Sequence, residues 1–332
     1  MILVMINKTA WLTFCLSFTF IILKYFFVNP YKPYVLKSLD ARYPYRSIRG
    51  RVDFLWPKEK RLAVYLGFNI ENFSFGEGLG ANIGPVSKQP DVLNYMWRDY
   101  GNRVGVWRCL DLFDQLNFPT GTLINTSLYD YCPEVIKAFV ERGDELIGHG
   151  HTNSQRQSDM SQEEELGLLR YCKEKIKKES GQNVTGWLSP WISETFETPD
   201  LLAQANYDYT LNWCNDDQPF LVKTIQSVPI WSIPYPQELN DIPMIIHRQM
   251  SSDDFSQMII DQFDEMLDQT RSPNAPQSLV MGIALHPYIV GQPYRLKHLR
   301  RALQYIARSR QDIWLTTPGE ICSHMRTLTL SC

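Results

Sequence analysis

The sequence predicts an α/β protein whose sheet is a closed or nearly closed barrel. Short apolar runs alternate with amphipathic helical segments about seven or eight times between Arg61 and Met325, the order that a parallel sheet requires. The helical segments carry their own start and stop signals, and no fixed-period repeat or low-complexity stretch interrupts the alternation. The first strand is 62–68 (LAVYLGF), an unbroken apolar run. Residues 104–116 (VGVWRCLDLFDQL) carry apolar side chains at helical spacing and stop at Asn117-Phe118-Pro119. Residues 122–125 read as a strand, and Pro133–Arg142 as a helix with Pro at its first position and Gly143 behind it. Glu145–Gly148 is the next strand. The helix over 161–178 is opened by Ser161 with Glu164 three residues on, a capping box. Later strands are 209–213, 228–234, Leu279–Leu285 and 313–316, separated by helices over 252–269, Pro293–Arg308 and 318–325.

Composition narrows the function classes. A chain of 332 residues suffices for one large domain or two small ones. With 44% hydrophobic and 21% charged residues it is neither disordered nor collagen-like. A net charge of −3 without a long basic run leaves no electrostatic footprint for nucleic acid. A mean hydropathy of −0.27 excludes a polytopic membrane protein. Aromatics at 13% suit a large core or a site that stacks on sugar rings. No CxxC pair exists, which excludes a zinc ribbon or a thioredoxin-type redox pair, and the scattered cysteines read as small buried hydrophobes.

The N-terminus needs separate treatment. Residues 1–28 contain two charges, Lys8 and Lys24, and 9–23 is uncharged. That stretch spans roughly 22 Å as helix, short of a roughly 30 Å hydrocarbon core, unless Lys24 snorkels and the helix continues to Val28. A basic start before an apolar run also fits a secretory signal, yet no small-x-small cleavage site precedes Asn29-Pro30. The expectation is a signal-anchor helix over 1–28, with a cleaved signal as the alternative, and so a membrane-attached or exported protein. Residues 29–60 read as a linker wrapping onto a catalytic barrel at 61–328.

In α/β barrels the functional groups stand just past the C-terminal ends of strands. Applied here, that rule selects Asn69-Ile70-Glu71-Asn72, His149-Gly150-His151-Thr152-Asn153, Cys214-Asn215-Asp216-Asp217 and His286-Pro287. Three of the six His of the chain fall at such ends, so an acid, imidazoles and amides converge on one rim. His149 is preferred over His151, because adjacent positions after a strand diverge. Asp216 and Asp217 read either as a carboxylate supply or as an N-cap. Glu238 and Asp241 read either as a strand-end pair or as turn residues. Trp187, Trp191, Trp213 and Trp231 near strand ends suit either sugar stacking or core. Arg103 and Arg108 suit either the pocket mouth or helix-face ion pairs.

Several segments, in order, carry a family resemblance: LAVYLGFNIENF, DYGNRVGVWR (99–108), CPEVIKAFVERGDELIGHGHTN (132–153), GWLSPWISE (186–194), NDDQP (215–219) and MGIALHPYIVGQPYR (281–295). With these the chain, from about Arg61 to Leu328, resembles the polysaccharide deacetylase (NodB-homology) superfamily, on its branch with allantoinase-like and peptidoglycan-deacetylase-like members. The resemblance implies a distorted (β/α) barrel of about seven units. It also implies hydrolysis of a carbon–nitrogen bond other than a peptide bond, usually an N-acetyl group on a sugar, with a divalent metal, zinc foremost. The family's first motif, a base and a metal-binding acid, maps to Asn69 and Glu71, and an amide at 69 cannot accept a proton. The second motif, two metal-binding His four residues apart, maps to His149 and Asn153. The third motif's Arg is absent around 187–191, and the late His maps to His286.

The expected site is therefore Glu71, His149, His286 and Asn69 for catalysis, Glu71, His149 and Asn153 for metal, and Trp187, Trp191, Trp213, Asp217 and Arg108 for substrate. Two strong ligands make a thin zinc site. A metal-free route, with Glu71 positioning water and the two His managing protons, stays beside it. The expected partner is a carbohydrate or a small amide. The rivals to a glycan deacetylase are an allantoinase-like cyclic-amide hydrolase and a carbohydrate-binding barrel without turnover.

Overall fold

The computed structural model describes residues 42–272 and 277–330. The anchor expected at 1–28 lies outside them. Among the described residues no helix is long and apolar enough to cross a membrane.

Strands β1 (Leu62–Ile70), β2 (Thr120–Ile124), β3 (Glu145–Gly148), β4 (Gly186–Trp187), β5 (Tyr209–Thr210), β6 (Phe220–Val222), β7 (Ile230–Ser232) and β8 (Leu279–Leu285) form one curled sheet in the order β6-β7-β5-β4-β3-β2-β1-β8. A ninth strand, β9 (Ile313–Leu315), pairs with the first residues of β1. Every pairing is parallel except β6 with β7. Among the described residues no strand closes the gap between β6 and β8. Irregular chain fills it: Val280 N donates to Asp217 O and Ala284 N donates to Leu239 O, both at 2.9 Å. The barrel is thus distorted at this seam.

All nine residues of β1 are buried, because both faces of the sheet are covered. Leu62, Val64, Leu66, Phe68 and Ile70 face the helices, while Ala63 and Tyr65 belong to the barrel interior. The period of two continues that interior face through Gly67 to Asn69. A Cβ on Gly67 would stand 3.0 Å from the Tyr235 ring, so glycine is needed where that tyrosine crosses β1. On the outer face Phe68 meets Phe113 edge-on at 5.1 Å and stacks on Phe139 at 5.6 Å. Phe68→Ala is expected to cost about 3–5 kcal/mol through the cavity it leaves, read as a lower midpoint in denaturant unfolding.

The helices α1 (Val92–Tyr100) and α2 (Val106–Gln115) run on through a π-helical turn at Gly101–Gly105. The spacing of 104–116 predicted only the second of them. Gly101 and Gly105 let the chain after β8 come close: added Cβ atoms would fall 2.7 Å from Tyr288 N and 2.1 Å from Pro287 O. That contact fixes the short helix α3 (Pro287–Val290), and with it Tyr288. The helices at Pro133–Arg142 and Pro293–Arg308 have the expected bounds. The capping box of Ser161 and Glu164 opens Gln162–Ser180. Strands β4 and β6, two and three residues long, were not expected.

Candidate active site

Glu71, His149 and His286 follow β1, β3 and β8, and the barrel brings them together. They are buried, at 2–4% exposure. Glu71 Oε1 lies 3.5 Å from His149 Nε2 and 3.5 Å from His286 Nε2. Asn153 Nδ2 donates to the same oxygen at 2.5 Å, and the Tyr288 hydroxyl donates to Oε2 at 2.8 Å. Burial alone would push the Glu71 carboxyl up. The imidazoles of His286 and His149 outweigh it and hold the carboxyl well below the usual carboxylate range. Glu71 is thus a fixed anion and a weak proton acceptor.

The two imidazoles have opposite surroundings. His149 Nδ1 lies 2.7 Å from Leu188 O. A carbonyl only accepts, so Nδ1 carries a proton. Nε2 of the same ring is buried without a hydrogen-bond partner. His286 Nδ1 instead lies 2.6 Å from Asp241 Oδ1, and His286 N donates to Asp241 Oδ2 at 2.8 Å. Burial opposes its charge, but the carboxylates of Asp241 and Glu71 prevail and raise His286 to about 10. One imidazole thus leaves Nε2 without a hydrogen-bond partner, and the other is held protonated.

The donor set does not suit a catalytic metal as arranged. Asn72 N donates to Asn125 Oδ1 at 2.8 Å, which turns Asn125 Nδ2 toward His149 O and toward Asn153 Oδ1, 3.2 Å away. Asn153 therefore presents its NH2 to Glu71, and an NH2 cannot bind a cation. Flipping the amide would set two NH2 groups against each other. His286 Nε2 lies 3.5 Å from the same Glu71 oxygen, but the ring is held protonated between Asp241 and Glu71 and so offers no lone pair as arranged. Glu71 and His149 remain, one short of the three protein ligands a catalytic zinc takes. Among the described residues no group of three or more His, Cys, Asp or Glu could hold a metal ion.

Other expected residues fall elsewhere. Asn69 is buried, and its Nδ2 donates to the Tyr235 hydroxyl at 2.9 Å and to Leu285 O at 3.2 Å, so it braces β1 against the seam. Trp187, expected to stack on a sugar, is a core residue at 0% exposure, with Nε1 donating to Gln157 and Ser189. Trp231 is core as well. Trp213 meets Tyr43 edge-on at 5.7 Å. Trp191 is 38% exposed and donates to Asn153 O at 2.8 Å, which keeps it at the rim. Arg108 spends its guanidinium on the Tyr100 hydroxyl and on Gly291 O. The exposed Arg103 pairs with Asp99. The Asp217 carbonyl meets Val280, six residues before His286 and so about 20 Å from it along β8. Asp216 pairs with Arg51, and Glu238 with Arg248. His151 turns to Thr126 and Tyr171.

Asn125 and Tyr288 complete the site and were not singled out in the sequence. Asn125 ends the 122–125 strand, where the strand-end rule applies equally. Tyr288 stands two residues past His286, on a turn whose direction no local pattern gives.

Residues 88–210 match the family described as polysaccharide deacetylase. A curated chain of Schizosaccharomyces pombe that carries a polysaccharide deacetylase name is 27% identical over 240 residues, 67% of this chain and 73% of its own. A peptidoglycan deacetylase of Helicobacter pylori is 25% identical over 252 residues, 65% and 82% of the two chains. Among solved structures, the Puue allantoinase superposes with a TM-score of 0.72 at 24% identity, covering 82% of this chain and 92% of that one.

Proposed function

Because this chain resembles the polysaccharide deacetylases in sequence and fold, we propose that it is a hydrolase of non-peptide carbon–nitrogen bonds that removes N-acetyl groups from a carbohydrate. The observation that carries the reading is the pair of imidazoles astride Glu71, one bound through Nδ1 to a carbonyl and the other through Nδ1 to a carboxylate. His149 Nε2 takes a proton from a water molecule as its oxygen attacks the acetyl carbonyl carbon. The tetrahedral intermediate collapses with cleavage of the C–N bond, and His286 Nε2 gives its proton to the departing nitrogen. Acetic acid and a free amine leave, the acid giving its proton to solvent, and a proton passes from His149 back to His286. Glu71 stays ionised throughout, opposing the charge of whichever imidazole holds the extra proton. Asp241 orients His286 with its transferable proton on Nε2, and Leu188 O holds the Nδ1 proton of His149 so that Nε2 is the atom that accepts. No step is routed through a metal, since Asn153 is locked as a donor.

A second reading, hydrolysis of a small cyclic amide, has its own support in the near-complete burial of the three reacting side chains. Presenting the protein with an N-acetylglucosamine oligomer, peptidoglycan and a cyclic ureide separates the readings. Acetate release from the glycans is expected. Ring opening alone would transfer the chemistry to the small amide, and glycan binding without turnover would leave a binding barrel.

A further inference from the structure

Arg98, on α1, is an unusual cation. It is 7% exposed, and among the described residues no carboxylate stands within ion-pairing distance of it. Its guanidinium makes one hydrogen bond, Nη1 to Ala81 O at 2.7 Å, and lies 4.5 Å from the centre of the Phe73 ring. Nε is buried without a hydrogen-bond partner, and among the described residues Nη2 makes no hydrogen bond. A buried charge left this incompletely bonded is costly. Burial works against its charge, and the carboxylates of Asp91 and Glu71 support it, which links it electrostatically to the candidate active site.

Arg98 also lines a cavity of about 150 Å³, under the loop that follows β1, together with Ser74, Gly78, Gly80, Tyr95 and Asp91. The loop is shaped around the guanidinium: a Cβ on Gly80 would stand 2.1 Å from Nη1. The cavity's carboxylates do not neutralise Arg98. Asp91 is committed to capping α1 through Asn94, at 2.8 Å to Nδ2 and 3.4 Å to N, and Glu77 is exposed.

We infer that Arg98 selects the substrate: a carboxylate carried by the substrate enters this cavity and accepts hydrogen bonds from the guanidinium, so that acidic N-acetyl sugars are bound in preference to neutral ones. The inference rests on the hydrolase reading for calling that ligand a substrate, whereas the binding itself does not. A charge-assisted bond to a buried guanidinium is the strong kind, and Arg is the residue suited to carboxylates.

The test uses two probes that differ by a lactyl carboxylate, N-acetylmuramic acid and N-acetylglucosamine, in calorimetric titrations of the full chain, Arg98→Gln and Arg98→Lys. The wild type is expected to bind the acid at least tenfold tighter. Arg98→Gln should erase that preference, and Arg98→Lys, which keeps the charge, should retain part of it. Equal affinities in the wild type, absence of acid binding, or a preference that persists in folded Arg98→Gln would each overturn the inference. If Arg98→Gln does not fold, an undiminished preference in Arg98→Lys does the same. Acetate release from the neutral probe is scored separately. Acid preference without any turnover would sink the hydrolase reading and leave Arg98's role standing.

Discussion

His286→Gln is expected to lower kcat for N-acetyl hydrolysis by roughly 10²–10⁴-fold, the span general acid catalysis covers. An amide nitrogen is a poor leaving group and needs a proton as the C–N bond breaks, whereas 4-nitrophenolate leaves without one. The same variant should therefore lose less than about tenfold on 4-nitrophenyl acetate. A uniform loss on both substrates would remove His286 from the acid role. The pH profile carries the same claim. His286 is raised to about 10, so the acid form persists through neutrality and the rate should fall as pH rises through about 10. Asp241→Asn removes the carboxylate that most raises it and should move that alkaline limb down, with His286 losing its proton earlier. An unmoved limb in Asp241→Asn would contradict the assignment.

The second large effect concerns metal. Asn153→His is expected to bind about one equivalent of zinc, because it supplies the third protein ligand beside Glu71 and His149 that a catalytic zinc takes. The wild type, mixed with zinc and passed through a desalting column, should retain far less than one equivalent. The physical reason is the amide relay from Asn72 through Asn125 to Asn153, which leaves an NH2 where a lone pair is needed. Metal analysis of both proteins, with circular dichroism as the folding control, decides the point. Stoichiometric zinc in the wild type that is lost in both Glu71→Ala and His149→Ala would refute the argument.

The barrel was legible because its apolar runs and caps are local signals. The unbroken run of β8 and the capping box at Ser161 needed no tertiary context. Strands β4 and β6 were not legible, since two or three residues carry no period. The convergence of Glu71, His149 and His286 followed from the strand-end rule and the resemblance together. Trp187 shows where that rule fails: a residue ending a two-residue strand points into the core as readily as to the rim, and only packing decides. Asp241 stood open in the sequence between turn residue and partner, and the bend that closes the seam brings it to His286. Arg98 lay unnoticed because a single Arg on an unrecognised helix has no signature until its burial is known.

We propose that two imidazoles astride Glu71 hydrolyse an N-acetyl group without help from a metal. It is tested most directly by acetate release from an N-acetylglucosamine oligomer in excess 1,10-phenanthroline, with wild type and His149→Gln side by side. The chelator is expected to leave the wild-type rate within about twofold, and His149→Gln to lose roughly 10²-fold or more. Loss of the wild-type rate to the chelator with recovery on added zinc, or full activity in His149→Gln, would contradict it.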